Sequence, residues 1–117
     1  MKNIILLVSI ILLTSCSKPE ATVKDLSFNE CPEKSIEQVF TINFKNHKWK
    51  SFEKNGKEYV RYDGVQKINK QLRVTFVFEK DEVDLWNISA LYVDGQDMMS
   101  GFYALMLPEV YQEMCSR

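Results

Sequence analysis

Apolar and polar positions alternate with a period of two through much of residues 49–93, the pattern of strands that turn one face to a core. Lys54-Asn55-Gly56-Lys57 separates the first two alternating segments, and Asn-Gly supplies both positive-φ positions of a type I′ hairpin. Pairing outward from that two-residue loop sets Phe52 opposite Tyr59, Ser51 opposite Val60, Lys50 opposite Arg61 and Trp49 opposite Tyr62. Trp49, Ser51, Val60 and Tyr62 then share the core face, and Phe52, Tyr59, Lys50 and Arg61 the other. Asp63-Gly64 reads as the end of the second strand. After a polar turn at Lys67-Ile68-Asn69-Lys70, a third strand sets Leu72, Val74, Phe76 and Phe78 against Arg73, Thr75, Val77 and Glu79. Lys80-Asp81-Glu82 turns the chain into a fourth, Val83 to Val93, with Trp86, Ile88, Ala90 and Tyr92 on one face. Asp94-Gly95 closes it.

The period changes on either side of this region. Ile36, Val39, Phe40 and Phe44 stand at i, i+3, i+4 and i+8 and predict a helix over 33–42. Ser35 or Asn29 is placed to cap it, and Glu33 and Glu37 suit a first turn. The same stretch carries a competing alternation, Val39, Thr41 and Asn43 against Phe40, Ile42 and Phe44. A further helix is expected from about Asp97 to Cys115, with Met98, Phe102, Leu105 and Met106 in one stripe and Val110, Tyr111 and Met114 in another. Pro108 lacks a donor and either kinks that helix or starts a second one. Met98, Met99 and Met106 suit packing against the sheet, or else a pliable groove. The expected fold is α+β: an antiparallel four-stranded β-meander packed with an N-terminal helix and a kinked C-terminal helix. The rival is an immunoglobulin-like β-sandwich, which requires residues 22–28 and 36–44 both to be strands.

The first sixteen residues follow a different rule. Met1-Lys2-Asn3 carries a positive charge, and Ile4 to Leu13 is apolar except for Ser9. The run falls short of the roughly 20 residues that span a bilayer, and fits the core of a secretory signal. Leu13-Thr14-Ser15-Cys16 closes it. Small Thr14 and Ser15 leave the backbone open to a membrane peptidase, and Cys16 supplies a nucleophilic sulfur. This segment resembles the bacterial lipobox, and residues 1–16 together resemble a bacterial lipoprotein precursor; an ordinary secretory signal is the plainer alternative. The resemblance implies diacylglycerol on the Cys16 thiol, cleavage after Ser15 and acylation of the new amino terminus. Ser17 in place of Asp implies, by similarity to enterobacterial sorting, an outer-membrane address facing the periplasm or the surface. The organisation expected is a cleaved signal over 1–15, a lipidated tether with a possible edge strand over 16–30, and one small globular domain over 31–117.

Export bears on the other two cysteines. Cys31 and Cys115 lie near the two ends of a small exported domain, where such a pair most often forms a structural disulfide. Two free thiols are the alternative. No Cys-x-x-Cys is present, and His47 is the sole histidine, without an acidic or cysteine cluster at ligand spacing. The run from Ser35 through Trp49, Phe52, Asn55-Gly56 and Tyr59 to Gly64 also resembles a pattern in small exported bacterial proteins without an assigned role, and transfers no function.

Overall charge is nearly balanced, 15 basic against 16 acidic side chains, which excludes a strongly basic nucleic-acid module. The balance conceals a separation. Residues 45–73 carry nine Lys or Arg and three acids, and residues 79–117 eight acids and two bases. Acids from the later strands neutralise the basic hairpin, or the hairpin faces an anionic partner. Lys48, Lys50, Lys54, Lys57 and Arg61, beside Phe52 and Tyr59, would combine charge with aromatic contact on such a surface. Glu79, Asp81, Glu82 and Asp84 surround a turn and need no catalytic explanation. Only four glycines are present, with no phosphate-cradling loop among them. No catalytic residue, metal or cofactor is expected. The function expected is non-catalytic: an envelope lipoprotein, held to the membrane by its lipid, that binds an anionic envelope component or a protein partner. A structural or surface-antigen lipoprotein without a tight ligand is the alternative, and a small hydrolase-like enzyme the second.

Overall fold

A computed structural model of the 117-residue chain describes residues 18–68 and 71–117. The signal, the cleavage site and Cys16 lie outside the described residues, as do Asn69 and Lys70 of the turn before the third strand. In chain order the elements are α1 (Pro19–Lys24), α2 (Ile36–Asn43), β1 (Phe44–Lys54), β2 (Lys57–Gln66), β3 (Arg73–Lys80), β4 (Trp86–Val93), β5 (Gln96–Asp97), α3 (Gly101–Ala104) and α4 (Leu107–Cys115). The strands form one antiparallel sheet in the order β1-β2-β3-β4-β5.

The fold is α+β, but the four-stranded meander with two helices is corrected to five strands and four helices among the described residues. The added strand follows from Asp94-Gly95, which does more than close β4. Asp94 at φ 54° and Gly95 at φ 85° make a second two-residue hairpin that sets Gln96 opposite Val93. The sandwich is overturned as well. Residues 36–43 are helical, and the edge strand expected over 22–28 is replaced by α1, with Pro19 in its first turn, Glu20 beside it and Val23 fully buried.

Capping decides the contest between periods in α2. The Ser35 hydroxyl accepts the Gln38 N–H at 3.1 Å, and the Gln38 side chain accepts the Ser35 N–H at 2.8 Å. The helix therefore starts at Ile36 and not at 33, and Glu33 falls outside it. Ile36, Val39, Phe40 and Asn43 face the core.

The hairpin register is as expected: Phe52 pairs with Tyr59, Ser51 with Val60, Lys50 with Arg61 and Trp49 with Tyr62. Asn55 sits at φ 54° and Gly56 at φ 79°. A Gly56→Val variant should lose about 1–3 kcal/mol, since a β-branched residue is strained at positive φ. Lys57→Ala, which removes only an exposed ion pair, should shift the denaturation midpoint far less. Equal denaturation midpoints for the two would mean that the turn is misassigned.

Three boundaries are corrected. β2 does not end at Asp63-Gly64 but continues to Gln66, with Gly64 paired to Val74. Glycine is needed there because the Tyr62 ring folds over it. A Cβ on residue 64 would meet the Tyr62 hydroxyl oxygen at 2.5 Å. β4 begins at Trp86 and not at Val83, because the Asp81 carboxylate accepts the Val83 and Leu85 N–H groups, each at 2.9 Å, and holds them in a turn. Within β4 the alternation breaks. Val77 pairs with Ala90 and Phe78 with Ile88, so Ser89 is an extra residue in a bulge. The core side of β4 is consequently Trp86, Ile88, Leu91 and Val93, in place of a single run through Ala90 and Tyr92.

The C-terminal helix is split, and Pro108 starts the second piece. Met98 packs against the core as expected, but Phe102 is 72% and Leu105 78% exposed, so the expected stripe does not face the sheet. Phe40 lies at the centre of the core. Its ring centroid is 4.4 Å from that of Tyr62, 4.7 Å from Phe76, 5.5 Å from Phe44 and 5.8 Å from Trp49. Cys31 and Cys115 are both buried and form the expected disulfide. Two further ties hold the same corner: Lys34 Nζ donates to the Cys115 carbonyl at 2.8 Å, and buried Asn43 donates to the Met114 carbonyl at 3.0 Å.

Candidate functional site

The helices lie on one side of the sheet. The other side carries Lys48, Lys50, Phe52 and Lys54 from β1, Lys57, Tyr59, Arg61 and Asp63 from β2, and Thr75, Val77 and Glu79 from β3. None of these residues is buried. An antiparallel sheet tolerates such an open face because its hydrogen bonds close within the sheet. All seven residues expected at a binding surface, Lys48, Lys50, Phe52, Lys54, Lys57, Tyr59 and Arg61, are brought onto it by the hairpin.

Ion pairing divides them into two groups. Lys57 Nζ lies 3.0 Å from Glu79 Oε2, and the hydrogen bond and charge of Glu79 raise its pKa. Arg61 grips Asp63 through Nε at 2.9 Å and a second nitrogen at 3.2 Å. Thr75 donates to the same carboxylate at 2.6 Å. Burial alone would raise the Asp63 pKa; the hydrogen bonds from Arg61 and Thr75, with the charges of Arg61 and Lys48, outweigh it and hold the carboxyl below its ordinary value. The Lys57 and Arg61 cations of β2 are thus neutralised within the fold, Lys57 by an acid of the later strand β3 and Arg61 by Asp63 of its own strand. Lys48, Lys50 and Lys54 make no ion pair among the described residues. All three stand on the edge strand β1, alternate with one another along its outer face, and flank Phe52. The Phe52 and Tyr59 rings stack at 5.1 Å with an interplanar angle of 11°. Stacking fixes an apolar plate of two rings beside Lys50 and Lys54, with Lys48 opposite Asp63 further along the strand.

The Arg61–Asp63 pair is absent from the expected site. Two residues apart on one strand they share a face, and the period of two was signal enough to find it. His47 is exposed but not wholly solvated: its Nδ1 lies 2.6 Å from the Tyr62 hydroxyl. Tyr62 is fully buried, and burial pushes its phenol well above the ordinary tyrosine range, which removes it as a base near neutral pH. Among the described residues no group of three or more His, Cys, Asp or Glu side chains is placed to hold a metal ion, and no helix is long and apolar enough to cross a membrane.

At one end of the sheet Phe44, Phe76, Leu91 and Met114, together with polar Asn43, Gln66, Glu113 and Arg117, line a cavity of about 140 Å³. It brings together no nucleophile with a base. Comparison of the chain with protein-family models, with curated proteins and with solved structures gives no match.

Proposed function

We propose that this chain is a membrane-anchored envelope lipoprotein that binds another envelope component, without catalysis, through the open face of its sheet. The reading takes its address from the lipobox-like Leu13-Thr14-Ser15-Cys16 segment. The observation that carries the binding role is the row of Lys48, Lys50 and Lys54 around the Phe52–Tyr59 stack, without an ion pair and on a face left uncovered among the described residues. Such a surface offers charge attraction and aromatic contact together.

Intact mass of the membrane-extracted protein should begin at Cys16 and carry fatty acyl mass; a product that begins elsewhere without it defeats the anchor. Binding is tested with Lys50→Glu combined with Lys54→Glu. Arg61 is the wrong target, since Asp63 already satisfies it. Partner capture from envelope extracts should fall sharply in the variant with circular dichroism unchanged, and wild-type capture should weaken as salt rises. Equal capture by both proteins at low and high salt would make the lysine row ordinary solvated surface.

A further inference from the structure

The position of α1 narrows what the lysine row faces. Glu20 Oε2 accepts the Ser51 N–H at 3.0 Å, Lys24 Nζ stands 5.4 Å from the centre of the Trp49 ring, and Val23 is fully buried. The start of α1 is therefore clamped to the middle of β1, between Lys50 and Phe52 in sequence. Cys16 precedes Pro19 by only three residues, and three fully extended residues reach at most about 11 Å. An acyl group on Cys16 would thus hold the edge strand β1, and not another side of the domain, beside the lipid surface. That maximum reach is about 1.4 times the Debye length of about 8 Å at physiological salt, so screening weakens but does not abolish the attraction between charges on β1 and the headgroups.

The charge of that edge fits what it would meet. The outer face of β1 presents Lys48, Lys50 and Lys54 with Phe52, Lys48 standing opposite Asp63 of β2, while Glu53 lies on the other face of the strand and the acidic turn Asp81–Asp84 sits beside Gly56 and Lys57 at the hairpin tip. We propose that the component bound by the open face is the anionic headgroup layer of the same membrane that holds the anchor, with the β1 edge against the bilayer and Phe52 at the headgroup level. This rests on the anchored, face-binding reading above, and names its partner. Basic side chains near an anionic lipid surface are attracted to it, and a lipid anchor with a basic patch is a more stable attachment than one acyl chain alone.

The test uses the full lipidated protein reconstituted in vesicles of phosphatidylcholine, or of phosphatidylcholine mixed with phosphatidylglycerol. Amine acetylation is read residue by residue by mass spectrometry. In the anionic vesicles at low salt, labelling of Lys48, Lys50 and Lys54 should fall several-fold relative to the neutral vesicles and recover at high salt, while Lys67 stays unchanged. Phe52→Ala should weaken the protection without removing it. Equal labelling of the three lysines in both vesicle types overturns the headgroup assignment. If envelope capture still depends on Lys50 and Lys54 in that case, the binding face stands and its partner is a protein or polymer instead. A chain without acyl mass that floats with neither vesicle type overturns the anchor and this inference together.

Discussion

Phe40→Ala should be the most damaging single truncation in this protein, with an expected loss of about 3–5 kcal/mol. The size follows from geometry as well as from area. Phe40 is 1% exposed and projects from α2 into a ring of aromatics contributed by β1, β2 and β3: Phe44, Trp49, Tyr62, Phe76 and Phe78. Those partners hang from three hydrogen-bonded strands, which cannot close in on the space left behind, so the cavity remains and its cost is added to the lost transfer free energy. Phe52→Ala removes the same side chain from a position that is 37% exposed and should cost far less. Urea denaturation followed by tryptophan fluorescence measures both, and comparable losses for the two would place Phe40 outside the centre of the core.

The second large effect concerns the Cys31–Cys115 bond. Replacing both cysteines by serine should lower stability by about 2–5 kcal/mol. The bond closes a loop of 84 residues in sequence separation, for which the chain-entropy estimate is about 4–5 kcal/mol before other effects are counted. Part of the corner survives its loss, because Lys34 and Asn43 still donate to the Cys115 and Met114 carbonyls. The double variant should therefore fold, with a lower denaturation midpoint than wild type. An unchanged midpoint would mean that these two contacts already constrain the terminal elements without the bond.

What the sequence made legible depended on how locally each feature is encoded. The β1–β2 register could be read in full because Asn55-Gly56 demands positive φ at two adjacent residues and the side-chain period fixes the rest. Asp94-Gly95 is chemically the same signal, but the strand beyond it is two residues long and shows no alternation, and the helix expected from about Asp97 overlaps its second residue. Gly64 misled in the opposite direction. Asp63-Gly64 resembles a turn, yet the glycine is set by the Tyr62 ring lying over it, a contact no local rule contains. The bulge at Ser89 was equally hidden, since Ser89 and Ala90 are small, and only pairing with β3 reveals that one of them is extra. For the candidate site, the hairpin placed all seven residues on one face. Their division into neutralised and free cations needed the β2–β3 pairing that brings Glu79 to Lys57.

The hydrogen bond from Ser51 to Glu20 has a meaning beyond orientation. β1 is an eleven-residue strand on the border of the sheet, long enough to template the addition of a strand from another molecule. Glu20 occupies an outward N–H at the middle of that border, α1 lies against it, and alternating lysines repel a like-charged copy approaching along it. An unguarded border of that length invites pairing with a strand of another copy. The six residues of α1 thus block the middle of the border. A chain trimmed through Lys24 would expose the whole border and lose that protection against self-assembly.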